Sequence, residues 1–292
     1  MYSGVLFNFM NRENSGVQSK IAVLNIGSDF KMTKSDISVL RQLLAERLNI
    51  QFDVLPVEGQ QILSFTDLLN PSACLIALND FGSRVDAVNL TCATSMFIKY
   101  WAVPLLFPYF YALTSEDIDL PWDLSCISTG LPPDWYWDRT LHLINLPQLQ
   151  HGVSRKQQSF EGYVRFILDD LKKLFDVLAR TGKVQKFLLW ENTALRILQF
   201  YDMMNRKGGN QALLSRIQYQ RQFLIDLPAA DLGLTQNPFY LMDQSRQQSS
   251  TTYQRKKCCF YFQLPEAQKE YCASCPLLRQ DEHRGQYSCK II

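Results

Sequence analysis

The chain has 292 residues, of which 47% are apolar and 20% charged, with a formal net charge of +2. That length suits one large domain or two smaller ones, and the composition suits a globular body able to bury a real core. A pI near 8.1 is compatible with an anionic ligand but gives no basic footprint, and no nucleic-acid partner is expected.

Residues 1–10 lack a charged region followed by a long apolar run, so no signal peptide is expected. A short strand is expected over residues 21–26. A helix should follow Ser35, where Ile37, Leu40, Leu43, Leu44 and Leu48 recur at helical spacing before Asn49. Residues 54–59 and 70–72 read as loops. Residues 85–113 are the most apolar region, and core packing is its simplest use. Its segment 100–113 is too short to span a bilayer and carries Pro104 and Pro108. A buried helix, or a pair with Pro104 opening the second member, is expected, with no integral membrane segment. With neither leader nor span, the expected location is the cytoplasm, where clustered cysteines favour metal ligation over disulfides.

Residues 121–137 are loop-like and carry Trp122, Trp135 and Trp137. Alternation over residues 139–145 predicts a strand containing His142, which has no second His or Cys at a ligating spacing. The clearest helix covers residues 159–180, closed by Gly182. Phe160, Val164, Ile167, Leu168, Leu171, Leu174, Phe175 and Leu178 form its apolar stripe, and the Asp169–Asp176 charges read as a solvated face. A second helix is expected over residues 184–206, ended by Gly208-Gly209, and a third over residues 211–223. Their short links predict an antiparallel bundle. Residues 231–248 read as loop with a turn at Asn237-Pro238, residues 244–252 as a flexible approach, and residues 253–264 as β-prone. The fold class is therefore mainly α with a few strands (α+β).

Half of the eight cysteines lie close together: Cys258, Cys259, Cys272 and Cys275. Four thiolates converging on one point suit Zn²⁺ or an iron–sulfur cluster. Zinc knuckles generally use two spaced pairs, whereas consecutive side chains on extended backbone point to opposite faces. The vicinal Cys258-Cys259 therefore suits two metal centres better than one, and spacing alone leaves both metals open. Arg255, Lys256 and Lys257 precede the pair, where they can tune an anionic centre, dock an acidic donor, or form a solvated basic patch. Cys74, Cys92 and Cys126 read as core fillers, and Cys289 as a bystander. No P-loop, dinucleotide fingerprint, H-x-x-x-H pair or G-x-S-x-G motif is visible. If the protein is an enzyme, a cofactor carries its chemistry.

A vicinal cysteine pair, a Leu264-Pro265 turn and a closing C-x-x-C near the end of the chain resemble the FhuF-type siderophore-iron reductases. Leu188-Leu-Trp-Glu-Asn-Thr-Ala194 is similar to that family's Trp-x-Asn-Thr segment, and Asn237-Pro238 and the apolar stretch 101–113 also look like it. The spacer here, Phe260 to Tyr271, is twelve residues, longer than the family's pattern. The likeness runs from about residue 85 to 277 and is much looser over residues 1–80; the expected organisation is an α/β-like region over residues 1–80, a helical substrate-binding region over 81–250 and an iron–sulfur segment over 251–292. The resemblance implies a [2Fe–2S] cluster on Cys258, Cys259, Cys272 and Cys275 that passes one electron to a bound ferric siderophore, releasing Fe(II). A separate donor such as a ferredoxin or flavin reductase would supply the electron. Trp190, Asn192, Trp122, Trp135 and Trp137 are the candidate substrate walls; Arg255, Lys256 and Lys257 are candidates for donor docking or cluster tuning. The alternative is a non-catalytic Cys₄ zinc-binding or siderophore-binding module.

Overall fold

The computed structural model describes residues 42, 45, 50–52, 61–116, 120, 122–131, 141–143, 159–249 and 252–278. Strands β1 (Ile50–Phe52), β2 (Gln61–Ser64), β3 (Ile127–Leu131) and β4 (Leu141–Leu143) form one sheet in the order β1-β4-β3-β2. β1 runs parallel to β4, and the other two pairings are antiparallel. The strand predicted over residues 139–145 is β4. The predicted loop at 121–137 instead contains β3 and, before it, a 3₁₀ turn at Leu124–Cys126. The strand predicted at 21–26 and most of the helix predicted after Ser35 lie outside the described residues.

A helix stands where a loop was expected. The Asn70-Pro71-Ser72 loop is a helix start: α1 runs Pro71–Arg84, with the Asn70 side chain accepting from the backbone N–H groups of Ser72 (2.9 Å) and Ala73 (3.2 Å). Asparagine at the cap and proline in the first turn are the combination a helix N-terminus favours. α1 crosses residue 80 and shares its core with the helices that follow.

The apolar stretch forms one helix, not two. α2 runs Leu90–Tyr111 with Pro104 and Pro108 inside it, then passes into a π turn at Ala112–Glu116. Each proline removes one intrahelical hydrogen bond; burial on nearly every side offsets that loss. The span Leu90–Ser115 is long and apolar enough to cross a membrane, but 78% of its 18-residue apolar stretch is buried inside the protein. It is the core helix of this fold.

The bundle follows the predicted pattern. α3 (Phe160–Thr181) is capped by Ser159, buries every residue of the predicted stripe and ends at Gly182. A Cβ at Gly182 would lie 2.0 Å from Thr94 Oγ1, so glycine is required where α3 ends against α2. The charged face of α3 forms ion pairs Lys172–Asp169 (2.7 Å) and Lys173–Asp170 (2.8 Å). α4 (Lys186–Lys207) packs against α2, α3, α5 and α6, and ends at Gly208 with φ 75°. α5 is Gln211–Asp226. α6 (Pro238–Ser249) occupies the region predicted as loop and flexible approach. Asn237 makes it possible. Its amide donates to the carbonyls of Leu224, Ile225 and Leu227 at 2.9–3.0 Å, and its oxygen accepts from Phe239 N–H at 2.8 Å. One side chain thus closes α5 and opens α6.

Candidate metal centre

After α6 the chain runs back across α2 and α4 without forming a strand; the predicted β-prone stretch is coil with short 3₁₀ turns at Tyr261–Gln263 and Pro265–Ala267. The two turns meet at Leu264, so the Leu264-Pro265 corner does fold one cysteine pair back toward the other. Phe260 sits at φ 65°, a rare conformation for a bulky residue, and turns the chain sharply just after the vicinal pair.

The four sulfurs form two cross-pairs. Cys259 Sγ lies 3.7 Å from Cys272 Sγ, and Cys258 Sγ lies 3.9 Å from Cys275 Sγ. Each pair takes one sulfur from the vicinal cysteines and one from the C-x-x-C. A tetrahedral centre with metal–sulfur bonds of about 2.3 Å holds two thiolates about 3.8 Å apart, so each pair has the spacing of two ligands on one metal. Among the described residues, no group of three or more His, Cys, Asp or Glu side chains is arranged for a single ion. Two pairs, each divided between the vicinal cysteines, fit a two-iron cluster better than a zinc knuckle.

The surroundings carry positive charge into a buried space. Arg255, 3% exposed, donates from Nη2 to Cys259 Sγ (2.8 Å) and Cys272 Sγ (2.6 Å). Its Nη1 donates to Asn192 Oδ1 at 2.5 Å, and its Nε has no hydrogen-bond partner among the described residues. Lys99, 4% exposed, places Nζ 3.7 Å from Cys259 Sγ and 4.0 Å from the centre of the Tyr261 ring. Buried cations require paired anions. An anionic tetrathiolate group would answer both, and the Nε of Arg255 leaves a donor to spare.

The thiols are polarised accordingly. Hydrogen bonding from Cys259 leads the effects that hold Cys272 well below the ordinary thiol range, while burial pushes Cys259 up. Cys275 donates to Cys258 and draws it down to about 7, at the cost of its own acidity. Each pair thus holds one negative charge readily. Burial opposes the charge on Arg255, but the neighbouring thiolates outweigh it and raise its pKa; at Lys99 burial dominates and lowers it, with the same thiolates opposing.

Two helices hold this segment. On α2, Cys92, Ser95 and Lys99 share one face. Ser95 Oγ donates to the Cys259 carbonyl at 2.9 Å, and Cys92 Sγ lies 3.7 Å from the Phe260 carbonyl. On α4, Glu191 accepts the backbone N–H groups of Lys256 (2.6 Å) and Lys257 (3.0 Å). Asn192 beside it reaches Ser95 with its Nδ2 and Arg255 with its oxygen. The sequence singled out Asn192 but missed Lys99, Ser95 and Glu191. Lys99 did leave a signal: it is the sole charged residue in α2.

The proposed substrate walls are corrected by burial. Trp190 is fully buried and meets Phe175 edge-on at 4.8 Å. Trp122, 5% exposed, packs on Tyr109 and donates its indole N–H to Asp170. Asn192 is spent on Ser95 and Arg255. These three serve the core and the cysteine segment. Trp135 and Trp137 lie outside the described residues. Arg255 is too buried to dock a donor and faces the sulfurs instead, while Lys256 and Lys257 are exposed.

These features define a segment with four convergent cysteines docked on a helical body. Residues 255–277 match the family model of the FhuF 2Fe-2S C-terminal domain, so the cofactor of this segment is a [2Fe–2S] cluster. The match covers that segment alone. A comparison of the whole chain with curated proteins finds no match.

Proposed function

We propose that the protein is a ferric-siderophore reductase whose cluster is held by Cys258, Cys259, Cys272 and Cys275. The observation that carries this reading is the buried Arg255, aimed at two of the four sulfurs within the matched segment. When bound, the cluster supplies a one-electron couple. The chain's own residues do the rest. Glu191 and Ser95 fix the segment's backbone, Arg255 and Lys99 balance its negative charge, and α2 and α4 shield its inner side from water.

The substrate would approach from the other side, where Cys258 and Cys272 are partly exposed. There Phe262 and Tyr271 place their rings 5.1 Å apart, and Lys256 and Lys257 lie nearby in sequence. Half-buried aromatic rings and exposed cations suit an anionic, ring-bearing iron chelate. Fe(II) is less charged than Fe(III) and is held less well by hard oxygen chelators. Reduction would therefore release the iron. The absence of a dinucleotide fingerprint in the sequence fits one-electron transfer from a separate protein donor.

The test is anaerobic purification followed by an absorption spectrum with iron, sulfide and zinc analysis. The reading expects a brown, dithionite-reducible protein that, once reduced, delivers Fe(II) from ferric hydroxamate or catecholate chelates to a ferrous-specific dye. A colourless chain with one bound zinc would remove it. A reducible cluster that leaves every ferric chelate untouched would remove the reductase activity but keep the redox segment.

A further inference from the structure

The two buried cations are not spread evenly over the four sulfurs. Arg255 contacts Cys259 and Cys272; Lys99 contacts Cys259. No cation is seen to contact Cys258 or Cys275 among the described residues. Lys99 comes from α2, far from the matched segment in sequence, and it is the single charged side chain in a 22-residue apolar helix. A lysine is costly to bury there unless something in the fold uses it. Two contacts favour its cationic form against the pull of burial: a thiol sulfur at 3.7 Å and the face of the Tyr261 ring at 4.0 Å. Arg196 braces the same turn by donating from Nε to the Lys99 carbonyl at 3.4 Å.

We infer that Lys99 is a redox-tuning residue: its buried ammonium, acting with Arg255 on the Cys259–Cys272 side, raises the reduction potential of the centre. This rests on the proposed ligation by the four cysteines. An added electron makes the thiolate-bound group more negative, and a fixed positive charge in a water-poor site stabilises that state more than the oxidised one. Both cations lie on the Cys259–Cys272 side, so their effect would act from that side of the centre. The consequence for function is direct. A centre that accepts electrons more readily can be filled by a milder donor, at the expense of driving force toward the ferric substrate. Lys99 sets that balance from outside the cysteine segment.

The experiment is an equilibrium redox titration of the full, anaerobically loaded chain, followed by absorption and by electron paramagnetic resonance of the reduced state. It compares the wild type with Lys99→Met, Lys99→Gln and Lys99→Arg. Iron and sulfide content measured first tests the ligation itself, so a wild-type chain that holds no cluster overturns that reading and this inference with it. With clusters loaded, the Met and Gln variants are expected to lower the reduced-to-oxidised ratio at fixed potential about tenfold or more, a shift of about 59 mV or more for one electron. Lys99→Arg is expected to stay near the wild type. Loaded Met and Gln variants that titrate with the wild type would overturn the proposal. So would failure of all three variants, Arg included, to hold a cluster, because that outcome assigns Lys99 a purely structural role.

Discussion

At the scale of single residues, the site is built from side chains that would be expensive elsewhere. Glu191 is 1% exposed, yet it accepts two backbone N–H groups from the segment that leads into the cysteines. Burial raises its pKa above the ordinary 4.5, against the pull of those two hydrogen bonds and of Arg255. The sign of the pH effect follows. Above 4.5 the folded chain still holds a proton that the unfolded chain has released. The contribution to stability is therefore full below 4.5 and is lost as pH rises through the raised value. Glu191→Gln cannot ionise, so the wild type should lose stability relative to it across that window. Thermal unfolding of the loaded chain from about pH 4.5 to about pH 7.5 measures this; a constant difference between the two proteins would contradict it. The four cysteines were legible in the sequence because their spacing is local. Arg255 was legible for the same reason; Lys99 and Glu191 were not, since they reach the segment only through the packing of α2 and α4.

At the scale of elements, the difference between α3 and α6 shows what sequence patterns carry. α3 has a continuous apolar stripe and a closing glycine, both where expected, and Ser159 proves to be its N-cap rather than its first residue. α6 reads Pro-Phe-Tyr-Leu-Met-Asp-Gln-Ser-Arg-Gln-Gln-Ser, with polar residues on most of its faces, so periodicity says little. Its stability comes from tertiary contacts instead. Arg221 pairs with Asp243 at 2.5 Å, and Arg246 with Asp202 at 2.5 Å. At its start stands Asn237, whose four shortest hydrogen bonds serve two helices. Asn237→Ala should lower stability by about 2–3 kcal/mol, by leaving buried carbonyls unpaired and removing a cap. Asn237→Asp keeps the cap acceptor but sets a carboxylate against three carbonyls, so it should not recover the loss. Urea unfolding of the three proteins separates these effects, and an aspartate variant as stable as the wild type would show that the amide donors contribute little. The Asn237-Pro238 and Asn70-Pro71 pairs were both read as breaks in the chain. In each case the proline lies in the first turn of a helix, and local sequence does not distinguish a turn that ends an element from one that starts it.

At the scale of the whole molecule, the protein joins a body with a large apolar core to a segment with almost no regular structure. Residues 252–278 contribute only short 3₁₀ turns among the described elements. The segment is held by Tyr253, whose hydroxyl bonds to Asp202 at 2.7 Å, by Arg255 and Glu191, and by the contacts to α2. Bound as proposed by the four cysteines, the cluster would join the two halves of this segment and stabilise the docked state by mass action, because the undocked chain lacks a preformed site. The helices of the body bury most of their apolar faces against one another, so the body should stay folded without that group. Removing the metal from the full chain with a chelator should therefore undock the segment while the bundle stays folded. Lys256, Lys257 and Lys269 are exposed and lie in this segment. Trypsin should cut there at least about tenfold faster in the metal-free chain than in the loaded one, since cleavage tracks the population of the open form. Mass analysis would place the first cuts, and circular dichroism would report the retained helices. Equal cleavage rates in the two states would mean that the hydrogen bonds to α2 and α4 suffice to hold the segment without its cofactor.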